Sequence, residues 1–125
     1  MVLKQTFIIN SDLDMRKGKI TGQVAHGAVF YTQIAIEHSS DNAERYNRFV
    51  SWRYEDKELM KKVVLKASKE EIIRLRVILI DKDIWSHLVY DRGMTQIPEN
   101  SLTCMVIEPL EEEKCDDLFR HLKLL

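Results

Sequence analysis

The chain has 125 residues, 45% hydrophobic and 31% charged, with a net charge of −1. That length points to one domain able to bury a core without disulfides or metal. The balance excludes a bulk polyanion binder, and no apolar run is long enough for a transmembrane span or a secretory signal. Leu3 to Asn10 (LKQTFIIN) predicts a short buried strand. Ser11 to Gly18 is a loop carrying Arg16 and Lys17, and a proline-free helix runs from about Lys19 to His38. Three of the four glycines fall in this loop and helix: Gly18, Gly22 and Gly27. A glycine inside a helix costs ~1 kcal/mol relative to alanine, so close approach of backbone or ligand is the expected reason. A helical wheel puts Ile20, Val24, Ala25, Ala28, Val29, Tyr31, Ala35 and Ile36 on one apolar side. It puts Lys19, Gln23, His26, Phe30, Gln33 and Glu37 on a polar stripe. Such a stripe is either a plain solvated face or, beside a basic helix start, a place for phosphate or a developing oxyanion.

Asp41 with Glu44 has the form of a capping box for a second helix, Asn42 to about Asp56. Lys62 to Ala67 predicts a second strand, and Ser68 with Glu71 caps a third helix to about Ile80. Trp85 to Tyr90 and Leu102 to Ile107 predict the third and fourth strands, separated by the loop Asp91 to Ser101. Pro109 ends the last strand, and Glu111 to about His121 forms a final short helix. Strands alternating with helices predict βαβ units in a largely parallel sheet covered on both faces. Sites in such sheets lie at the carboxyl ends of strands, which here means the loops Ser11 to Gly18 and Asp91 to Ser101.

The loop DMRKGKI is neither a phosphate-binding GxxxxGK[ST] nor a GxGxxG. The second loop, DRGMTQIPENSLT, offers a carboxylate at Asp91, hydroxyls at Thr95 and Thr103, and an amide at Gln96. A carboxylate there suits a general base, although Asp, Gly, Pro and Asn also suit an ordinary turn. The four histidines are scattered, so no metal site is expected, and no GxSxG elbow is present. Cys104 and Cys115 follow no disulfide or redox spacing, so a reducing, cytoplasmic setting is expected.

Taken together, DLDMRKGKITGQVAHGA, YDRGMTQIPENSLTCMVIEP and the terminal LKLL resemble the type 2 peptidyl-tRNA hydrolases along essentially the whole chain, residues 1–125 as a single domain. The resemblance implies a three-layer α/β/α fold with a mixed four-stranded sheet, one strand antiparallel to the rest. It implies hydrolysis of the ester between a peptide and the 3′ ribose of tRNA, in a homodimer without organic cofactor. Carried over by motif, the catalytic residues fall on Lys19, Asp91, Thr95 and Thr103. Substrate contacts fall on Gln23, His26 and Gln96, and Arg16 and Lys17 are expected to meet the tRNA backbone. The chain departs from the family pattern at Arg16, at Arg92 and at Glu108, which stands before Pro109 in place of glycine. A non-catalytic RNA- or protein-binding module on the same fold is the alternative expectation, and a small-molecule amide or ester hydrolase is a third.

Overall fold

Leu3–Asn10 forms β1, the strand around which the sheet is built. In the computed structural model, which describes residues 2–91 and 100–125, every residue of β1 except Lys4 is buried. Lys17–Glu37 forms α1, Ala43–Val50 forms α2, and a π-helical turn at Ser51–Glu55 follows it directly. Then come β2 at Lys62–Ala67, α3 at Lys69–Asp81, β3 at Ser86–Asp91 and β4 at Ser101–Ile107. Two short strands, β5 at Leu110–Glu111 and β6 at Lys123–Leu124, flank α4 at Glu112–Phe119.

The strand order is β3-β4-β1-β2-β6, with β5 on the lower part of β1. β1 pairs parallel with β2 and antiparallel with β4, and β4 pairs antiparallel with β3. Thus β1, β2 and β3 run one way and β4 runs against them. The fold is the mixed α/β/α sandwich that the resemblance implies, but the sheet has six strands among the described residues rather than four. Nor is it the largely parallel sheet read from the alternation, since β1–β2 is parallel while β1–β4, β1–β5, β2–β6 and β3–β4 are antiparallel. The two additional strands have two residues each, too short for any periodic signal.

Each face of the sheet has its own core. On one side Tyr31 and Ala35 of α1 and Phe49 of α2 pack with Trp52, Phe7, Ile9, Cys104 and Val106. On the other, Ile72, Leu75 and Leu79 of α3 and Cys115 and Phe119 of α4 pack with Ile8, Leu65, Met105 and Ile107. Alternate residues of β1 and β4 serve opposite cores, as the pleat requires.

Two local expectations are corrected. The buried face of α1 is Gln23, Gly27, Tyr31 and Ala35; only Tyr31 and Ala35 come from the wheel's apolar side, of which Val29 is 64% and Ile36 57% exposed. Helix α2 is capped by Asn42, whose side chain accepts from Arg45 N, while Asp41 pairs with His38. Ser68 caps α3 as expected, accepting from Glu71 N at 3.1 Å.

Candidate active site

The carboxyl end of β1 is tied to both of its neighbours. Asn10 Nδ2 donates to Leu102 O at 2.9 Å, and its Oδ1 accepts from Asp12 N at 2.9 Å, an Asx turn that opens the loop. Ser11 N donates to Ala67 O, and Lys69 N donates to Asp12 Oδ2, both at 2.9 Å. This loop delivers Arg16 as the N-cap residue of α1 and sets the first turn of the helix over the ends of β3 and β4.

Lys19 Nζ then donates to Asp91 Oδ1 at 2.6 Å, with both side chains only 12% exposed. Residues 72 apart in the chain meet in one charge-assisted hydrogen bond. One turn further along α1, Gln23 Nε2 donates to the same oxygen at 3.3 Å. Gln23 Oε1 in turn lies 2.7 Å from Thr103 Oγ1, which is 3.0 Å from Val89 O. A carboxylate can only accept, so the amide nitrogen must face Asp91 and the amide oxygen must face the hydroxyl.

Thr103 reaches Gln23 because β4 is bulged. Val89 pairs with Cys104 and Tyr90 with Leu102, which leaves Thr103 without a partner on β3. Leu102 and Met105 face the α3 core while Cys104 faces the α1 core. Thr103, next to Cys104, also turns toward α1, as its bond to Gln23 shows. An extra residue in a strand re-aims side chains in this way. Thr103 is fully buried and touches Gln23, so it holds the amide from behind.

The family model described as Peptidyl-tRNA hydrolase PTH2 matches residues 3–125. The chain belongs to this family. It is 37% identical over 98% of its length to a peptidyl-tRNA hydrolase of Thermococcus onnurineus, covering 97% of that protein. It is 36% identical to a peptidyl-tRNA hydrolase of Thermoplasma acidophilum, over the full length of both chains. A probable peptidyl-tRNA hydrolase 2 of Dictyostelium discoideum is 36% identical over 97% of this chain and 54% of its own length.

In this PTH2 chain, then, six of the residues singled out in sequence form one network or stand at its rim: Lys19, Gln23, Asp91 and Thr103 make the network, while Arg16 and Lys17 lie exposed at the start of α1. His26 is exposed one turn beyond Gln23. Thr95 and Gln96, with Arg92, lie outside the described residues. Sequence reasoning missed Lys66 and Lys69. Both are exposed, Lys66 near the end of β2 and Lys69 at the start of α3, either side of the turn that Asp12 and Ser11 hold beside the basic loop. The only signal for them was the Ser68 cap, which fixes where that turn lies.

Cys104 is the one thiol near the network, with Sγ 3.7 Å from Gln23 O. Burial pushes it up to about 12, so it stays protonated and is no nucleophile. A cavity of about 710 Å³ opens at the other end of the sheet, between α2 and the start of α4, lined by Leu3, Arg48, Leu110 and Lys114 among others. It gathers apolar and ion-paired surface and is remote from the Lys19–Asp91 pair. At the pair a shielded carboxylate, an ammonium and an oriented amide converge. No helix among the described residues is long and apolar enough to cross a membrane.

Proposed function

We propose that the chain is a peptidyl-tRNA hydrolase. Water adds to the carbonyl carbon of the ester joining a peptide to the 3′ ribose, and the bond from that carbon to the ribose oxygen breaks. The products are a peptide with a free carboxyl group and a tRNA with a free 3′ hydroxyl. The observation that carries this reading is the Lys19–Asp91–Gln23–Thr103 network, at the strand ends of a PTH2 family member. Asp91 orients the water and takes its proton, then returns it to the leaving ribose oxygen. Lys19, with the N–H groups of the first turn of α1, stabilises the oxyanion of the tetrahedral intermediate.

Gln23 keeps the Asp91 carboxylate in place, and Thr103 keeps Gln23 in place. Thr95 and Gln96 complete the site as contacts to water and substrate. Arg16 and Lys17, joined by Lys66 and Lys69, meet tRNA phosphates, and binding therefore weakens with salt. His26 contacts substrate at the open side of α1. The enzyme works as a homodimer in the cytoplasm, with all catalytic groups supplied by one chain.

Purified protein given N-acetyl-aminoacyl-tRNA is expected to release deacylated tRNA catalytically and to leave a simple alkyl ester of the same N-acetyl amino acid intact. Hydrolysis of the simple ester at a comparable rate would point to a small-molecule esterase. No turnover of either substrate would overturn the reading.

A further inference from the structure

The ester in question joins two unlike arms, a polyanionic RNA and a peptide, and the surface on the two sides of Lys19 is equally unlike. Before Lys19 lie Arg16 and Lys17, with Lys66 at the end of β2 and Lys69 at the start of α3 beside them. After it, from Ile20 through Ile36, α1 carries no Lys, Arg, Asp or Glu. A surface helix of an ordinary globular domain places charge on its outer side. Here that side exposes Val29 and Ile36, and Phe30 is 42% exposed on the side toward β3.

Phe30 is not an isolated apolar side chain. It lies on the helix line of Lys19, Gln23 and His26, and its ring meets His87 of the edge strand β3 at 4.7 Å. His87 stacks on Trp85 at 6.1 Å, and Trp85 meets Tyr31 at 5.6 Å. A ladder of rings thus runs along the boundary between α1 and β3, in line with the catalytic pair. His87 titrates below the ordinary histidine range because burial, and then repulsion by Arg76, disfavour its charged form. Its ring is therefore a neutral surface at physiological pH and a poor phosphate ligand.

We propose that the surface along the boundary of α1 and β3, from the Lys19–Asp91 pair past His26 to the Phe30–His87 pair, holds the peptide arm of the substrate and favours apolar side chains there. This rests on the hydrolase reading. With the ester at Lys19 and Asp91, the basic side takes the RNA and the uncharged side takes the peptide. Lys19 to Phe30 spans roughly 16 Å of helix at about 1.5 Å per residue. An extended peptide covers that in about five residues at ~3.3 Å each. The subsite therefore reads the peptide several residues from the bond that breaks, where stacking on Phe30 adds binding without touching the chemistry.

The test compares N-acetyl-aminoacyl-tRNA with two N-acetyl-hexapeptidyl-tRNAs, one leucine- and phenylalanine-rich and one aspartate-rich. The wild-type protein is expected to show kcat/KM about tenfold higher for the apolar hexapeptide than for the single residue, mainly through KM, and no gain for the acidic one. Phe30→Ala, and separately His87→Ala, should lose most of that gain, so that each harms the long apolar substrate far more than the short one. Absence of a gain in the wild type overturns the proposal, as does a gain that survives both substitutions. An equal loss on long and short substrates also overturns it, because this surface would then take RNA or serve folding alone. If the wild type hydrolyses none of the three, the hydrolase reading itself has failed and the subsite falls with it.

Discussion

Asp91 Oδ1 accepts from an ammonium and an amide together, at 2.6 and 3.3 Å. That arrangement fixes the carboxylate in direction and keeps it a good acceptor for a water. Asp91→Asn preserves shape and removes the charge. It is expected to lower kcat by roughly 10²-fold or more with little change in KM. Thr103 meets Gln23 and Val89, so in the proposed mechanism its loss acts by loosening Gln23. Thr103→Val is expected to lower kcat by about tenfold, and Thr103→Ser to restore it. Stability falls by ~1–3 kcal/mol in the valine variant, because the one hydroxyl proton within reach of the buried Gln23 Oε1 and the Val89 carbonyl is lost. Single-turnover hydrolysis with denaturant unfolding of each variant checks both statements. Wild-type turnover in Asp91→Asn would remove the general base. Equal rates for Thr103→Val and Thr103→Ser would remove the hydroxyl. The sequence named these residues by motif but could not give Thr103 its indirect part. That part depends on a bulge at one position of β4, and a single strand carries no pattern that marks which residue its partner will leave unpaired.

At the scale of the element, α1 shows how a functional helix hides its own orientation. Its sheet-facing line is Gln23, Gly27, Tyr31 and Ala35, two of which contribute nothing to an apolar stripe. Gln23 is buried to serve Asp91, and Gly27 is there for want of a side chain. A Cβ on Gly27 would stand 3.1 Å from Val106 Cβ and 3.4 Å from Phe7 Cε2, both residues fully buried. A Cβ on Gly22 would meet nothing within 4 Å. The two glycines therefore predict opposite outcomes on mutation to alanine. Gly27→Ala gains ~1 kcal/mol of helix propensity but pushes α1 off the sheet, at a cost of ~1–3 kcal/mol, and should lower Tm. Gly22→Ala gains the propensity with no clash and should raise Tm by a few degrees. A Tm that rises in both would mean that the α1–β4 contact yields more easily than its geometry suggests. The close approach inferred for these glycines thus holds at Gly27 and is met by the sheet; Gly22 faces open space. The remaining elements were legible because strand period and helix caps report directly on them. Ser68 holds its helix start, and the bounds of β1 and β2 match their sequence patterns. The cap of α2 was misplaced by one residue because Asp41 and Asn42 are both good cap residues, and the contest is settled by the His38–Asp41 pair at 2.6 Å.

Across the whole molecule, the site sits at one end of the sheet and a buried charge cluster sits at the other. Glu108, 1% exposed, accepts from Arg48 Nη2 at 2.6 Å, from Arg45 Nε at 3.1 Å and from Trp85 N at 2.6 Å. It follows β4 directly, so the cluster clamps α2 to the sheet and to the start of β3. Its three charges are not equivalent, because the side chains of Arg45 and Arg48 are 24% and 26% exposed. An arginine that loses its partner can turn part of its charge to water, whereas Glu108 has no such route. Removing Arg48 should therefore cost more than neutralising Glu108. Arg48→Ala is expected to lose ~3–5 kcal/mol. Glu108→Gln keeps an acceptor for Trp85 N and should lose only ~1–2 kcal/mol. From Thr103 to Glu108 is five residues of strand, roughly 16 Å at about 3.3 Å per residue, so neither change should alter kcat in the folded protein. Urea unfolding with hydrolysis measured well below each midpoint tests the order. A larger loss for Glu108→Gln than for Arg48→Ala would mean that Arg45 and Trp85 N are enough to hold the carboxylate once Arg48 is gone, and that the cluster does not depend on its shortest ion pair.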